Sequence, residues 1–332
     1  KPDPTRDQFS VRYERDRLTN WLGWVLDKAG REDELASLYE HEARLTQSYE
    51  RLVCFLIEKN RDDAAYAWAR EGIEQTRDPW PGIASNLAKR LAELAQKRKQ
   101  WKQVAAHAAW MFFDRPSVQA FDDLIAAAEK ARCRDKVRRW ALHFLETGES
   151  PIHVSDGDKV RPSATVDPDW PLPVPEHLAM LMRQRGTAEP HYDVLLEMAL
   201  INNEPENALH WYDKLAEETN RRGRMSRNRA AAYADRVAEA VASSHPERAL
   251  AIYDERLTAN LSPAQYSAYQ ACAGYLRKMH PIMQQLGRKN DWHKLVQQIR
   301  EDYRRRPRFM ELLDELDGQT IVESNRSRKS KG

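Results

Sequence analysis

Five arginines, Arg221, Arg222, Arg224, Arg227 and Arg229, crowd into nine residues around Gly223 and Ser226. Guanidiniums at that density suit the phosphate oxygens of nucleic acid, with an affinity that falls as salt rises because counterions are released. The plainer use of the same residues is a solvated inter-helix loop whose arginines pair with Glu217 and Glu218. The chain carries 53 Lys and Arg against 51 Asp and Glu, a net charge of +2, and this near-neutral balance favours the loop over a surface built for polyanions. A second basic run, Arg300, Arg304, Arg305, Arg306 and Arg308, sits at a helix end, where the negative end of the helix dipole already accounts for it.

Aromatic side chains are the next candidates, because Trp and Arg dominate binding hot spots. Of ten tryptophans, Trp68, Trp101, Trp110, Trp140, Trp211 and Trp292 recur at packing positions. Trp80 and Trp170 instead stand beside prolines in loops, which makes them the candidates for an exposed contact. Among the histidines, His107 and His143 fall on neighbouring helices where they would meet, while His177 and His191 flank the start of the second half. None has a Cys, Asp or Glu at ligand spacing of the HExxH kind, so no metal site is expected. Asp156-Gly157-Asp158 lacks the further oxygen ligands and closing Glu of a calcium loop. There is no GxxxxGK[ST], GxGxxG or GxSxG, and the many carboxylates fall on polar helix faces. The sequence thus predicts neither a reaction nor a cofactor.

The elements that position these residues are helical. Pro205–Leu215 reads PENALHWYDKL and Pro246–Arg256 reads PERALAIYDER, near-copies forty-one residues apart. An offset of that size marks a helical repeat, in which each unit buries part of its apolar face against the next. Proline suits a first helical position, whose N–H has no partner in any case. After it Ala208, Trp211, Tyr212 and Leu215, and likewise Ala249, Ile252, Tyr253 and Leu257, share one helix side. Upstream, Leu18, Trp21, Leu22, Val25 and Leu26 form a stripe ended at Gly30. Residues 48–59 and 62–75 then make a helix pair around a turn at Asn60, and the pattern is repeated twice more. Pro79, Pro116 and Pro151 each follow a second helix.

Residues 149–175 hold six prolines and little periodicity, and are read as an irregular connection. The expected organisation is a sub-array over 1–148, that connection, a second sub-array over 176–317, and a disordered basic tail over 318–332. Helices are expected at Glu176–Arg185 and His191–Ile201, and Pro281 should kink or split the helix that contains it. Cys54, Cys133 and Cys272 lie far apart and read as buried thiols in a reducing cytoplasm. No apolar run is long enough to span a bilayer and no secretory signal is present. The chain begins at Lys1 without Met, which suggests a fragment or a processed chain.

The blocks HPERALAIYDERL and DWHKLVQQIREDYRRRPRFMELLDEL, with the long helix between them, resemble the C-terminal helical region of bacterial SWIM zinc-finger family proteins. YERLVCFLIEKNRDDAAYAWAREGI and WMFFDRPSVQAFDDLIAAAEK are similar to upstream parts of the same region, so the resemblance covers most of residues 13–316. It implies a TPR-like array placed after a Cys-x-Cys, Cys-x-His zinc finger, which this chain lacks. Zinc is therefore expected only in that absent finger. Partners of the AAA ATPase or von Willebrand A type are also implied.

Together these readings predict an all-α, TPR-like solenoid of helical hairpins. It would be non-enzymatic and cytoplasmic, holding a protein partner along a concave face, with nucleic-acid binding through Arg221–Arg229 as the alternative.

Overall fold

The computed structural model describes residues 4–155, 163–182, 188–222, 228–263 and 265–316, and the chain divides into two units, Lys1–His191 and Tyr192–Gly332. The first contains α1 (Pro4–Lys28), α2 (Glu32–Thr46), α3 (Tyr49–Glu58), α4 (Asp62–Thr76), α5 (Pro81–Lys97), α6 (Trp101–Asp114), α7 (Val118–Lys130) and α8 (Arg134–Thr147). A ribbon of β1 (Ile152–Ser155) and β2 (Ser163–Val166) and the one-turn α9 (Glu176–Ala179) complete it. The second contains α10 (Tyr192–Ile201), α11 (Pro205–Arg222), α12 (Asn228–Val241), α13 (Pro246–Leu261), α14 (Tyr266–Gln285), α15 (Lys289–Asp302) and α16 (Pro307–Leu316). Contacts run chiefly between helices adjacent in sequence. The protein is all-α, a helical-repeat fold in which neighbours cover one another.

One turn recurs inside the hairpins. Gly30, Asn60, Lys99, Arg132, Asn203 and Gly287 all take positive φ. In each case the next residue's N–H reaches back five residues, as in Arg31 N to Leu26 O at 2.9 Å, Arg61 N to Leu56 O at 2.8 Å and Cys133 N to Ala128 O at 3.0 Å. This is the Schellman closure, which satisfies the last carbonyls of the first helix and turns the chain sharply into the second. Five of the described helices begin on proline, Pro4, Pro81, Pro205, Pro246 and Pro307, where the missing N–H costs nothing. The two near-copies noted above are α11 and α13, each the second helix of its hairpin.

Ion pairs between successive first helices share one polarity. Arg51 on α3 meets Asp16 on α1, and Arg90 on α5 meets Glu50 on α3. In the second unit Arg229 and Arg236 on α12 meet Asp193 and Glu197 on α10, and Lys278 on α14 meets Glu239 on α12. The acid always lies on the earlier helix. Such exposed pairs contribute about 0–1 kcal/mol each, so their effect is to fix register more than to hold the fold together. Stability comes from the interior. Phe112, Phe144, Leu87, Leu124 and Leu145 are fully buried in the first unit, and Leu215, Val237, Leu276 and Phe309 in the second.

Several expectations change. Only part of the α1 stripe is covered: Leu18, Trp21 and Leu22 are exposed, Val25 is half-buried and Leu26 is buried, because the covered side of α1 runs through Thr19, Gly23 and Leu26. A Cβ on Gly23 would sit 2.6 Å from the Tyr39 hydroxyl, so only this side lets Tyr39 approach. Pro281 lies within the continuous α14 and does not split it. The helix expected over Glu176–Arg185 is the single turn of α9, and 149–175 belongs with the first unit and contains an antiparallel ribbon, Ile152 opposite Val166. Asp156-Gly157-Asp158 and the tail 318–332 lie outside the described residues.

Candidate functional site

The basic cluster is only partly within view. Arg224 and Arg227 lie outside the described residues, as does the side chain of Arg222. Arg221 is 3.8 Å from Glu217, and Arg229 is 2.7 Å from Asp193. The described members are therefore engaged with neighbouring carboxylates. Two members of the second basic run are structural: Arg300 pairs with Asp314 at 2.7 Å, and Arg306 stacks over Tyr303 and Tyr269 while donating to the Leu261 carbonyl at 2.9 Å, whereas Arg304, Arg305 and Arg308 are exposed.

Trp80, at the turn into α5, is 47% exposed. Trp170 is not an exposed contact, which corrects the expectation: it is 6% exposed and packs on Phe113 of α6 with ring centroids 5.6 Å apart. The cause is the path of the proline-bearing connection, which folds back over the hairpins. Asp169 is held there by Lys136 and Arg139 of α8 at 2.8 and 2.7 Å. Of the six tryptophans at packing positions, Trp110 and Trp292 are buried and the other four are half-buried.

The excursion starts and ends at the C-terminus of α8. Gly148 has φ +80°, and a Cβ there would lie 2.2 Å from the Glu189 backbone nitrogen. His191 N donates to Leu145 O at 2.7 Å. Between those clamps, residues 169–182 form a strap that runs against the array order, over α8, then α6, then α4. Glu176 pairs with Arg70 of α4. Leu178 is 1% exposed and joins the apolar cluster of Leu52, Ala69, Leu87, Leu91 and Trp110, with Leu181 and Met182 packed at its edge.

His177 makes the contact with most chemical content. Its Nε2 lies 3.2 Å from His107 Nε2 of α6, and its ring stands edge-on to Tyr66 of α4. His107 and His177 are 4% and 3% exposed. A proton fits between the two nitrogens only if at least one ring is neutral, with one donating and the other accepting. Burial is the main cause that pushes His107 down to about 3 and His177 down to about 4, with the His177 ring acting on the former and the Arg70 guanidinium on the latter. His177 Nδ1 is buried without a protein partner. Beside the pair lies a cleft of about 240 Å³ lined by Asp63, Tyr66, Arg98, Gln100 and Gln103.

The sequence paired the wrong histidines. His107 meets His177, seventy residues away, whereas His143 meets Glu149 at 3.3 Å and His191 packs on Phe144. No local spacing signals a contact made by a strap folding back. No cluster of three or more His, Cys, Asp or Glu suited to a metal occurs among the described residues. The three cysteines are free thiols, with burial raising all three and Cys272 reaching about 11. No described helix is long and apolar enough to cross a membrane.

A second feature is the outer face of α1. Tyr13, Leu18, Trp21, Leu22 and Trp24 are 41–66% exposed, and at about 100° per residue they spread over roughly half of the helix, with Trp21 and Trp24 opposite Thr19, Gly23 and Leu26, and Leu22 close to that covered side. Comparison with known proteins finds no matching family model, no similar curated protein and no similar solved structure.

Proposed function

We propose that this chain is a non-enzymatic protein-interaction scaffold, a TPR-like array of the kind its sequence resembles in SWIM-type proteins. The observation that carries the reading is the outer face of α1. Five large apolar side chains gather on one helix, while the interior hairpins cover theirs with a neighbour. Contiguous exposed apolar surface of this kind marks an interaction site. Throughout the array the surface that covers such a helix is another amphipathic helical hairpin, so the fitting partner is a helical segment of a second protein. Arg17 lies on the same face among these aromatic anchors, and aromatic and arginine side chains are the types enriched at interfaces.

The test compares the wild-type chain with the double variant Trp21→Ser, Trp24→Ser. Both side chains are exposed, so thermal stability should change by no more than about 0.5 kcal/mol. A defined protein captured from the native cell extract should be lost with the variant, by tenfold or more in affinity. Sedimentation of the purified chain distinguishes a partner from self-association. A monomeric chain whose captured proteins are identical with and without the two tryptophans would contradict the reading.

A further inference from the structure

The strap over the first unit's second helices is held in an unusual way for part of a repeat fold. Its backbone hydrogen bonds close on itself, with Leu178 N and Ala179 N reaching Pro175 O, Met180 N reaching Glu176 O and Met182 N reaching Leu178 O. What joins it to α4 and α6 is a short series of side chains: Trp170 on Phe113, Glu176 on Arg70, His177 on His107 and Tyr66, and Leu178 in the apolar cluster. The four-residue α9 is a single turn, far below the length at which a helix stands alone. This is how a peptide ligand sits on a receptor groove, with anchors in successive positions and no shared ladder.

Two details leave room at the site for more than its present occupant. His177 Nδ1 is buried without a protein partner and lies beside the cleft, so a group entering the cleft has a polar atom to meet. The cleft beside the imidazoles, with Gln100, Gln103, Tyr66 and the Asp63–Arg98 pair on its walls, is space that the strap does not fill.

We propose that the face of α4 and α6 is a recognition groove for a short partner peptide presenting a carboxylate, an imidazole and a leucine in succession, with residues 173–182 as its resident occupant. The carboxylate is read by Arg70, the imidazole by His107 and Tyr66, and the leucine by the pocket under Leu178. A partner wins the groove by adding contacts in the cleft. This goes beyond the reading of α1, which lies elsewhere in the unit and plays no part in it.

The imidazole contact makes the groove sensitive to acid. The groups facing the pair are Asp63, Tyr66 and Arg70 from α4, Arg98 from the turn after α5, and Glu176 from the strap. Asp63 is paired with Arg98 and Glu176 with Arg70, so both carboxylates are already neutralised by a guanidinium. A free histidine titrates near 6.5 and must lose its proton to enter. At pH 5 this alone weakens binding by about 30-fold, through the entering peptide's one imidazole.

The experiment titrates a fluorescent peptide of sequence PVPEHLAMLM, that of residues 173–182, into the full chain and into the variant Glu176→Lys, Leu178→Ala, whose strap is weakened. The variant should bind the peptide at least tenfold more tightly than the wild type, in which the strap competes. Binding should be lost on adding His107→Ala, on replacing the peptide's leucine at the position of Leu178 by alanine, and should fall about 30-fold from pH 7.5 to pH 5.0. A variant with wild-type circular dichroism that binds no peptide overturns the proposal. Should that variant fail to fold, hydrogen exchange of residues 176–182 in the chain carrying Glu176→Lys alone decides. Exchange much faster than that of α4 and α6 supports a displaceable strap, and exchange as slow as theirs overturns it. Neither outcome touches the α1 face, so this proposal and the proposed function fail separately.

Discussion

The two units are made with the same parts and differ in what lies on their second helices. Both use hairpins closed by a left-handed residue, Asn60 in one and Asn203 in the other, and both place the acid of each first-helix ion pair on the earlier helix. In the second unit the described connections between helices are short turns. In the first, the chain leaves α8 at Gly148, lays residues 169–182 across α8, α6 and α4, and returns to α8 at His191. A nearest-neighbour array tolerates such an excursion because each hairpin is covered chiefly by its sequence neighbours, with Trp170 and Leu178 of the strap adding to that interior. The contrast teaches that the repeat supplies the framework, and that in the first unit a departure from the repeat lays a strap across its second helices.

The largest effects should come from the shared interior. Phe112→Ala removes a ring that meets Phe113, Phe121 and Phe144 at 5.4–5.9 Å, and Tyr253→Ala removes one of the largest buried side chains of the second unit. Each should destabilise its own unit by about 3–5 kcal/mol, read by hydrogen exchange resolved along the chain. Equal loss of protection in both units from either change would break the description of two separately cored units.

A smaller pair of glycine substitutions sharpens the contrast. Gly148→Ala forces a Cβ into the Glu189 backbone at positive φ and should cost about 1–3 kcal/mol, with protection lost first in the strap. Gly274→Ala lies inside α14 with open space around the new methyl and should stabilise by about 0.5–1 kcal/mol. A Gly148 change that leaves strap exchange unaltered would mean the excursion is not clamped at its base.

The hairpins were legible because three- and four-residue spacing and the twin blocks at Pro205 and Pro246 report them directly. Some turns were legible too, since Gly30 and Asn60 advertise the left-handed conformation. Lys99 and Arg132 take the same φ without any such signal, because the closure imposes it. Periodicity told that α1 has an apolar stripe but not that its small side, Thr19 and Gly23, would be the one to meet Tyr39. The strap was the least legible part. Prolines around Trp170 suggest a loop in solvent, and only tertiary packing reveals that Phe113 covers the indole and that His177 finds His107 instead of His143 finding it.

The buried imidazoles offer the most direct measurement. Their depressed pKa values mean that the docked strap binds fewer protons than the released one below pH 6.5. Docking is therefore complete above that value and weakens as pH falls, by about 2 kcal/mol per histidine at pH 5. Titration of the ten histidine Cε1–H signals by NMR, assigned with His107→Ala and His177→Ala, reads this directly. The account predicts that these two do not follow a curve near 6.5, and that each single variant moves the surviving partner back toward it. Two ordinary titrations near 6.5 in the folded wild-type chain would contradict the docking of the strap against α4 and α6.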